Sequence, residues 1–571
     1  MNVMFNPMRW KAALLIGATG GVVLSAADGG SGTDSARPNF IVLIADDLND
    51  SVEGMGGHPQ AITPNLDRMA AEGVRMQNAH CTVAICGPSR ASMWTGMSPL
   101  RTGYYGYRQQ QNNWRQFEEM SDAVTLMEYF AARGYAVMGT GKIFHNGHED
   151  NSVFNTPMDG LEPSFGPAPW DGRGYFSWNK PEGRGHPAMP GDRTESYWGG
   201  FGPLSEVPEV DGWRGWMADW AAGEVGDPDS WRFRWESPDE RDRMPDEISA
   251  QWAADKLRSA DTRDDPFLMI VGFNRPHTPM YAPDEFFDLW DPAEIRLPPY
   301  LPNDLEDVPE ILWKNPETGQ RTHHAMRLPQ LMRQGDATPE GGFGWWRRWV
   351  HAYLACTAFV DHQVGVILDA LTESPHRDNT YVIFISDHGY HMGQKDFMAK
   401  TTIWEESTRV PMLWVGPDIP AGTETEVPVS LLDLYPTLVE FAGFTRGLPG
   451  DSSPPLDGAS IAALLREPAS VTAVDDRRGV LSHLAGPKHL EPHTYSEPAW
   501  NHHSIRTERY RYTLCSDGSE ELYDLLEDPH AWNNRAGNPD YRDVQADLAV
   551  YLAQRLAAAP APQQRSGQDR P

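Results

Sequence analysis

Residues 40–45 (FIVLIA), 267–272 (FLMIVG) and 381–385 (YVIFI) are apolar without a polar break. A strand with one wet face alternates, so unbroken runs of this length predict strands buried on both faces, as in a parallel sheet covered by helices. A further strand is predicted at 135–139, leading into glycine. Between these runs the period lengthens to that of a helix. Thr63-Pro64 opens one, with Thr63 as N-cap, Pro64 at the first position, Leu66, Met69 and Ala70 inward and Gly73 as the stop. A second spans 123–132, with Leu126, Tyr129 and Phe130 inward and Gly134 after it. Residues 353–371 place Leu354, Phe359, Val360, Val364, Ile367, Leu368 and Leu371 on the inner side of a long core helix. Another strand starts within 408–412, and Pro436 opens a helix within 432–444. Strand and helix patterns alternate, which predicts an α/β fold with helices on both faces of a large sheet.

After residue 445 the pattern changes. A Pro- and Gly-rich linker and a helix at 458–465 precede 503–514 and 521–528, which alternate like antiparallel strands. The expected organisation is a large domain at 38–444, a smaller α+β subdomain with a short antiparallel sheet at 445–556, and a disordered tail at 557–571. The excursion at 151–244 is rich in glycine, proline and indole. Most of those aromatics are read as packing, leaving one or two to touch a substrate at the rim of a site. At the other end, Arg9 and Lys11 precede an apolar stretch at 12–24 and the small residues Ser25, Ala26 and Ala27. This is the layout of an export signal cleaved near Ala27, and the span is short for a membrane anchor. Residues 1–27 are therefore read as a signal peptide, and the product as periplasmic or secreted.

The chain has 571 residues, 40% of them hydrophobic, which allows a substantial core. Its formal net charge of −32 argues against nucleic acid or an anionic membrane as general partners. It also means that any anionic ligand must find a local basic pocket.

Chemistry gathers at the ends of the predicted strands, where ligands bind in open α/β sheets. Asp46-Asp47 follows 40–45, and adjacent carboxylates at a strand's end are costly unless a cation or water shares them. Lys142 and His145 follow 135–139. His277, held between Pro276 and Pro279, follows 267–272, and Ser386-Asp387-His388-Gly389 follows 381–385. The segment 81–96, CTVAICGPSRASMWTG, adds a cysteine just ahead of a helix. Pro88 suits a first helical turn, and the N–H groups there favour an anion.

Cys86-Gly87-Pro88-Ser89-Arg90, followed by Thr95-Gly96, resembles the signature of the type I, formylglycine-dependent sulfatases. The order GKIFH, RPHTP, SDHG and Lys400 is similar to the iduronate-2-sulfatase-like branch, over roughly residues 38–537. The resemblance implies an alkaline-phosphatase-like fold with a catalytic domain at 38–444. It also implies a maturation enzyme that oxidises Cys86 to formylglycine, or 3-oxoalanine. The hydrated aldehyde would attack sulfur with one hydroxyl, and loss of the other proton would expel sulfate. Asp46, Asp47, Asp387, His388 and the modified residue 86 would hold one Ca²⁺, a hard ion tolerant of irregular oxygen geometry. Arg90, Lys142 and His145 would attend residue 86, and Lys400 and His277 would bind the sulfate of a sulfated saccharide, as in glycosaminoglycan degradation. Cys81, Cys356 and Cys515 are then left for at most one disulfide. The alternatives are a phosphatase or phosphonate monoester hydrolase on the same fold, and a catalytically silent sugar-binding relative.

Overall fold

The computed structural model describes residues 37–106, 114–145, 153–154, 164–168, 201–207, 216–219, 233–259, 265–314, 344–445, 455–468, 479–485 and 501–559. Residues 1–27, read above as an export signal, most of the aromatic excursion and residues 560–571 of the tail lie outside the described residues. The large domain is built from β1 (Asn39–Asp46), α1 (Pro64–Glu72), β2 (Val74–Met76), α2 (Cys86–Thr95), β3 (Ala136–Gly141), α3 (Pro245–Arg258), β4 (Phe267–Pro276), α4 (Gly344–Glu373), β5 (Thr380–Ser386), β6 (Met412–Val415) and β7 (Thr423–Thr425). The strands form one mixed sheet in the order β7-β2-β6-β5-β1-β4-β3. β1 lies inside it between β5 and β4, parallel to both, and β3 is parallel to β4. β6 runs antiparallel to β5.

Alternate residues of β1 enter different cores, as a strand's two-residue period requires. Phe40, Val42 and Ile44 pack on the side that holds Trp94 of α2. Ile41, Leu43 and Ala45 pack with Leu66 and Met69 of α1, Ala250 of α3, and Val360 and Val364 of α4. Burying each large apolar side chain contributes roughly 1.5–3 kcal/mol. With both faces apolar, polarity cannot set the strand's register. Asn39 does so at its start, accepting from the Phe267 N–H at 3.0 Å and donating to Thr380 Oγ1 at 3.4 Å. α4 is long and apolar enough to cross a membrane, but 83% of its apolar window is buried in this fold.

The C-terminal subdomain is an antiparallel sheet of β8 (Val480–Leu484), β9 (His502–Arg506), β10 (Tyr510–Leu514) and β11 (Glu520–Asp524), in that order. Helix α5 (Arg542–Ala558) covers it, with Leu548 and Leu552 against Ile505, Tyr512 and Leu522. Its edge is stitched to the segment leading into Cys86. The Ser482 hydroxyl donates to the Cys81 carbonyl at 2.7 Å, and the His483 N–H to the Thr82 carbonyl at 2.7 Å.

Several boundaries differ from the sequence reading. The helix expected at 123–132 is Leu126–Ala131, because Thr125 and Glu128 form a reciprocal capping box that starts it later. Thr63 precedes α1 but does not cap it; its hydroxyl accepts from the Glu53 N–H at 2.9 Å instead. Helix α4 extends further at both ends than 353–371, and α5 is not foreseen. All four cysteines are free and buried.

Candidate active site

The mutually parallel strands β1, β3, β4 and β5 end on the same edge of the sheet, and each delivers polar residues there. Asp46 closes β1 and Asp47 follows with φ 68°, a left-handed conformation costing a non-glycine residue on the order of 1–3 kcal/mol. Tyr353 of α4 fixes that backbone. Its hydroxyl donates to the Asp47 carbonyl at 2.7 Å and accepts from the Asn49 N–H at 2.9 Å. In sequence Tyr353 looks like one more core position of a helix, and no signal there marks this role.

Cys86 is the first residue of α2, with Ile85 as N-cap. Gly87 permits tight packing beside it, since a Cβ there would stand 2.4 Å from the Tyr104 hydroxyl. Side chains of α2 bind the helix to the strand ends. Ser89 Oγ donates to the Asp387 carbonyl at 2.5 Å, and Trp94 Nε1 to the Ile143 carbonyl at 2.8 Å. Arg90 donates to Asp387 Oδ2 at 2.8 Å, to Asp46 Oδ1 at 3.4 Å and to the Lys142 carbonyl. Arg90 thus braces the carboxylates beside residue 86, and none of these bonds goes to the Cys86 sulfur.

Around Cys86 Sγ, Lys400 Nζ stands at 3.0 Å and His388 Nε2 at 3.2 Å. Lys400 Nζ also donates to Asp47 Oδ1 at 2.6 Å, and Lys142 Nζ to Asp46 Oδ2. His277 Nε2 lies 3.8 Å from Asp47 Oδ2, while its Nδ1 meets the Thr278 carbonyl at 2.5 Å. Nδ1 of His388 meets the Gly389 carbonyl at 2.9 Å, which aims Nε2 into the site.

The electrostatics favour an anion at position 86. Burial works against an ionised Cys86, but Lys142, Lys400 and His388 hold its thiol well below the ordinary range. Burial and Cys86 likewise oppose ionisation of Asp46, and Lys142, His277 and Arg90 outweigh them, holding its carboxyl well below the usual carboxylate range. Burial takes His145 down to about 4 against the pull of Cys86, so its imidazole is neutral at pH 7.

Asp46, Asp47, Cys86 and His388 each offer a donor atom within 4.8 Å of the others. Asp47 Oδ2 is buried without a hydrogen bond among the described residues. A buried carboxylate oxygen left unbonded beside three further donors suits a cation. Asp387 borders this group. One of its oxygens takes Arg90, the other the N–H groups of Asp47 at 3.2 Å and His388 at 3.0 Å.

The sulfatase family model matches residues 38–444. The chain belongs to the sulfatase family. A model for the C-terminal part of N-sulphoglucosamine sulphohydrolase matches residues 393–558 of this sulfatase. A sulfatase of Formosa agariphila is 31% identical over 522 residues, 90% of this chain and 86% of that one. Iduronate 2-sulfatase of Mus musculus is 27% identical, covering 89% of this chain and 90% of its own. Among solved structures, one bound to its substrate D-glucosamine-2-N,6-O-disulfate aligns with TM-score 0.61 at 20% identity, over 93% of this chain and all of the other. The phosphonate monoester hydrolase of Agrobacterium radiobacter aligns with TM-score 0.58 at 21% identity, over 92% and 96%. The fold is therefore the alkaline-phosphatase-like sulfatase fold.

Proposed function

We propose that this sulfatase is an exported enzyme, matured at Cys86 to formylglycine and loaded with one Ca²⁺, that removes O-sulfate from the end of a sulfated sugar chain. The observation that carries the reading is the setting of Cys86. A nucleophile position stands at a helix N-terminus, ringed by Lys142, Lys400 and His388, over carboxylates braced by Arg90. Cys86 Sγ marks where the oxygens of the hydrated aldehyde would stand.

Asp46, Asp47, His388 and residue 86 would hold the ion, with Asp387 joining from the side. When bound, the ion supplies Lewis-acid polarisation of a sulfuryl oxygen and lowers the pKa of the residue 86 hydrate. The remaining work falls to side chains. Lys142 and His145 orient the residue 86 oxygens, Lys400 and His277 take the sulfate group, and His277 protonates the departing sugar oxygen. The similarity to an iduronate 2-sulfatase supports a 2-O-sulfated uronic acid, or a similar residue, as substrate.

Sulfate and phosphonate monoesters each carry one negative charge, and a phosphonate monoester hydrolase shares the fold, which makes phosphonate hydrolysis the second reading. Turnover of an aryl sulfate, an aryl phosphate and an aryl phosphonate monoester by matured protein distinguishes them. The sulfate is expected to be fastest; preference for either phosphorus ester would overturn the reading.

The ion has its own test. Asp47→Asn keeps a side chain that tolerates the left-handed backbone but removes the charge. It is expected to lower bound calcium, measured by elemental analysis, and to cost turnover on the order of a hundredfold or more. Full activity after chelation with verified metal loss would contradict the assignment.

A further inference from the structure

We propose that Lys395, outside the catalytic set, positions Lys400, and that the C-terminal subdomain takes part in the reaction through it. The inference rests on Lys400 acting at the sulfate, as in the proposed function. Lys400 leaves a small hairpin in which His391–Met392 pairs antiparallel with Met398–Ala399. The Gly393 N–H donates to the Phe397 carbonyl at 2.9 Å and closes the turn.

The backbone here is strained. Lys395 (φ 53°), Asp396 (51°), Ala399 (75°) and Thr401 (77°) are all left-handed, and none is glycine. Each costs about 1–2 kcal/mol, so the conformation persists only where neighbours over-determine it. Lys400 sits between two of these residues, and the direction of its side chain follows from their geometry.

The hairpin is held at its base, where His391 Nε2 meets Thr402 Oγ1 at 2.7 Å and the Thr401 N–H donates to the Ala84 carbonyl at 3.1 Å. Trp346 Nε1 holds the Met392 carbonyl at 2.5 Å. Lys395 holds the turn. Its buried ammonium donates to Asp304 Oδ1 at 2.9 Å and to the Ala531 carbonyl at 2.5 Å. It also lies 5.0 Å from the ring centroid of Tyr523 on β11. Desolvation offsets much of the attraction in a buried lysine–carboxylate pair, so stability alone is a weak reason for one. Fixing the turn against the C-terminal subdomain, and Lys400 with it, gives it a purpose.

The test uses the full-length matured enzyme, with conversion of Cys86 quantified by peptide mass in every variant and an activated aryl sulfate as probe. Lys395→Met is expected to lower kcat about tenfold or more, and to cost nothing further in a Lys400→Ala background, as residues acting as one unit do. Lys395→Arg should recover part of the loss. A merely structural lysine would instead lower turnover by the same factor in both backgrounds, and that result overturns the inference. So does full turnover by Lys395→Met. If Lys395→Met fails to fold, Asp304→Ala is taken through the same cycle with the same criteria. Full turnover by Lys400→Ala would remove the reading of Lys400 and this inference together. Loss at Lys400 without loss at Lys395 would remove this inference alone.

Discussion

A Cys86→Ala chain is expected to fold as the native protein does and to release sulfate at least on the order of 10⁴-fold more slowly. Position 86 is the first residue of α2, where alanine is as good a helix former as any. The surrounding cations keep their carboxylate partners, Lys400 on Asp47 and Lys142 on Asp46, so no buried charge is stranded. What disappears is the atom toward which Lys400 and His388 are aimed. Cys86→Ser gives a sharper result. A serine hydroxyl can take the sulfuryl group, but it has no second hydroxyl from which to expel it. The serine variant is expected to stop after one event, with its 86-containing peptide heavier by the mass of a sulfuryl group. In the matured native protein that peptide should be lighter than encoded and reactive towards carbonyl reagents. Finding only the unmodified thiol in fully active protein would overturn the formylglycine assignment.

Much of the site could be read in the chain because strand ends are easy to read. The run at 40–45 is typical of a doubly buried strand, which puts Asp46-Asp47 at its carboxyl end, and the same holds for Asp387-His388 after 381–385. The structure gathers these with Cys86, Lys142, His277 and Lys400. What could not be read lies in three-dimensional partnership. Arg90 falls in the signature motif, but nothing local says that it braces Asp46 and Asp387. Tyr353 has the spacing of a core residue, and its hydroxyl finds Asp47 only after α4 docks on the sheet. Helix α5 escaped because its apolar residues are not confined to the buried face: Val550 is exposed while Leu548 and Leu552 are buried. Thr63 shows the converse. Local rules made it a cap, and the tertiary fold gave its hydroxyl to Glu53.

Replacing His277 with alanine is expected to separate a sulfated disaccharide from an activated aryl sulfate as substrates. Its Nδ1 is engaged by the Thr278 carbonyl, and its Nε2 faces Asp47 Oδ2, so one ring nitrogen is directed into the site. If that nitrogen delivers a proton to the departing oxygen, its worth depends on how badly the oxygen needs one. A sugar alkoxide is a poor leaving group, and general acid catalysis contributes typically 10²–10⁴-fold there. An activated phenoxide departs with little help. His277→Ala should therefore lose on the order of a hundredfold or more in kcat on a sulfated disaccharide and much less on an activated aryl sulfate. Equal losses on both would make His277 a sulfate-binding residue and leave the acid to another group. The position of attack on a polymer is a separate matter. Removal from chain ends alone is expected, and sulfate release from internal residues of an intact polymer, without prior trimming, would mean an open cleft in place of a closed pocket.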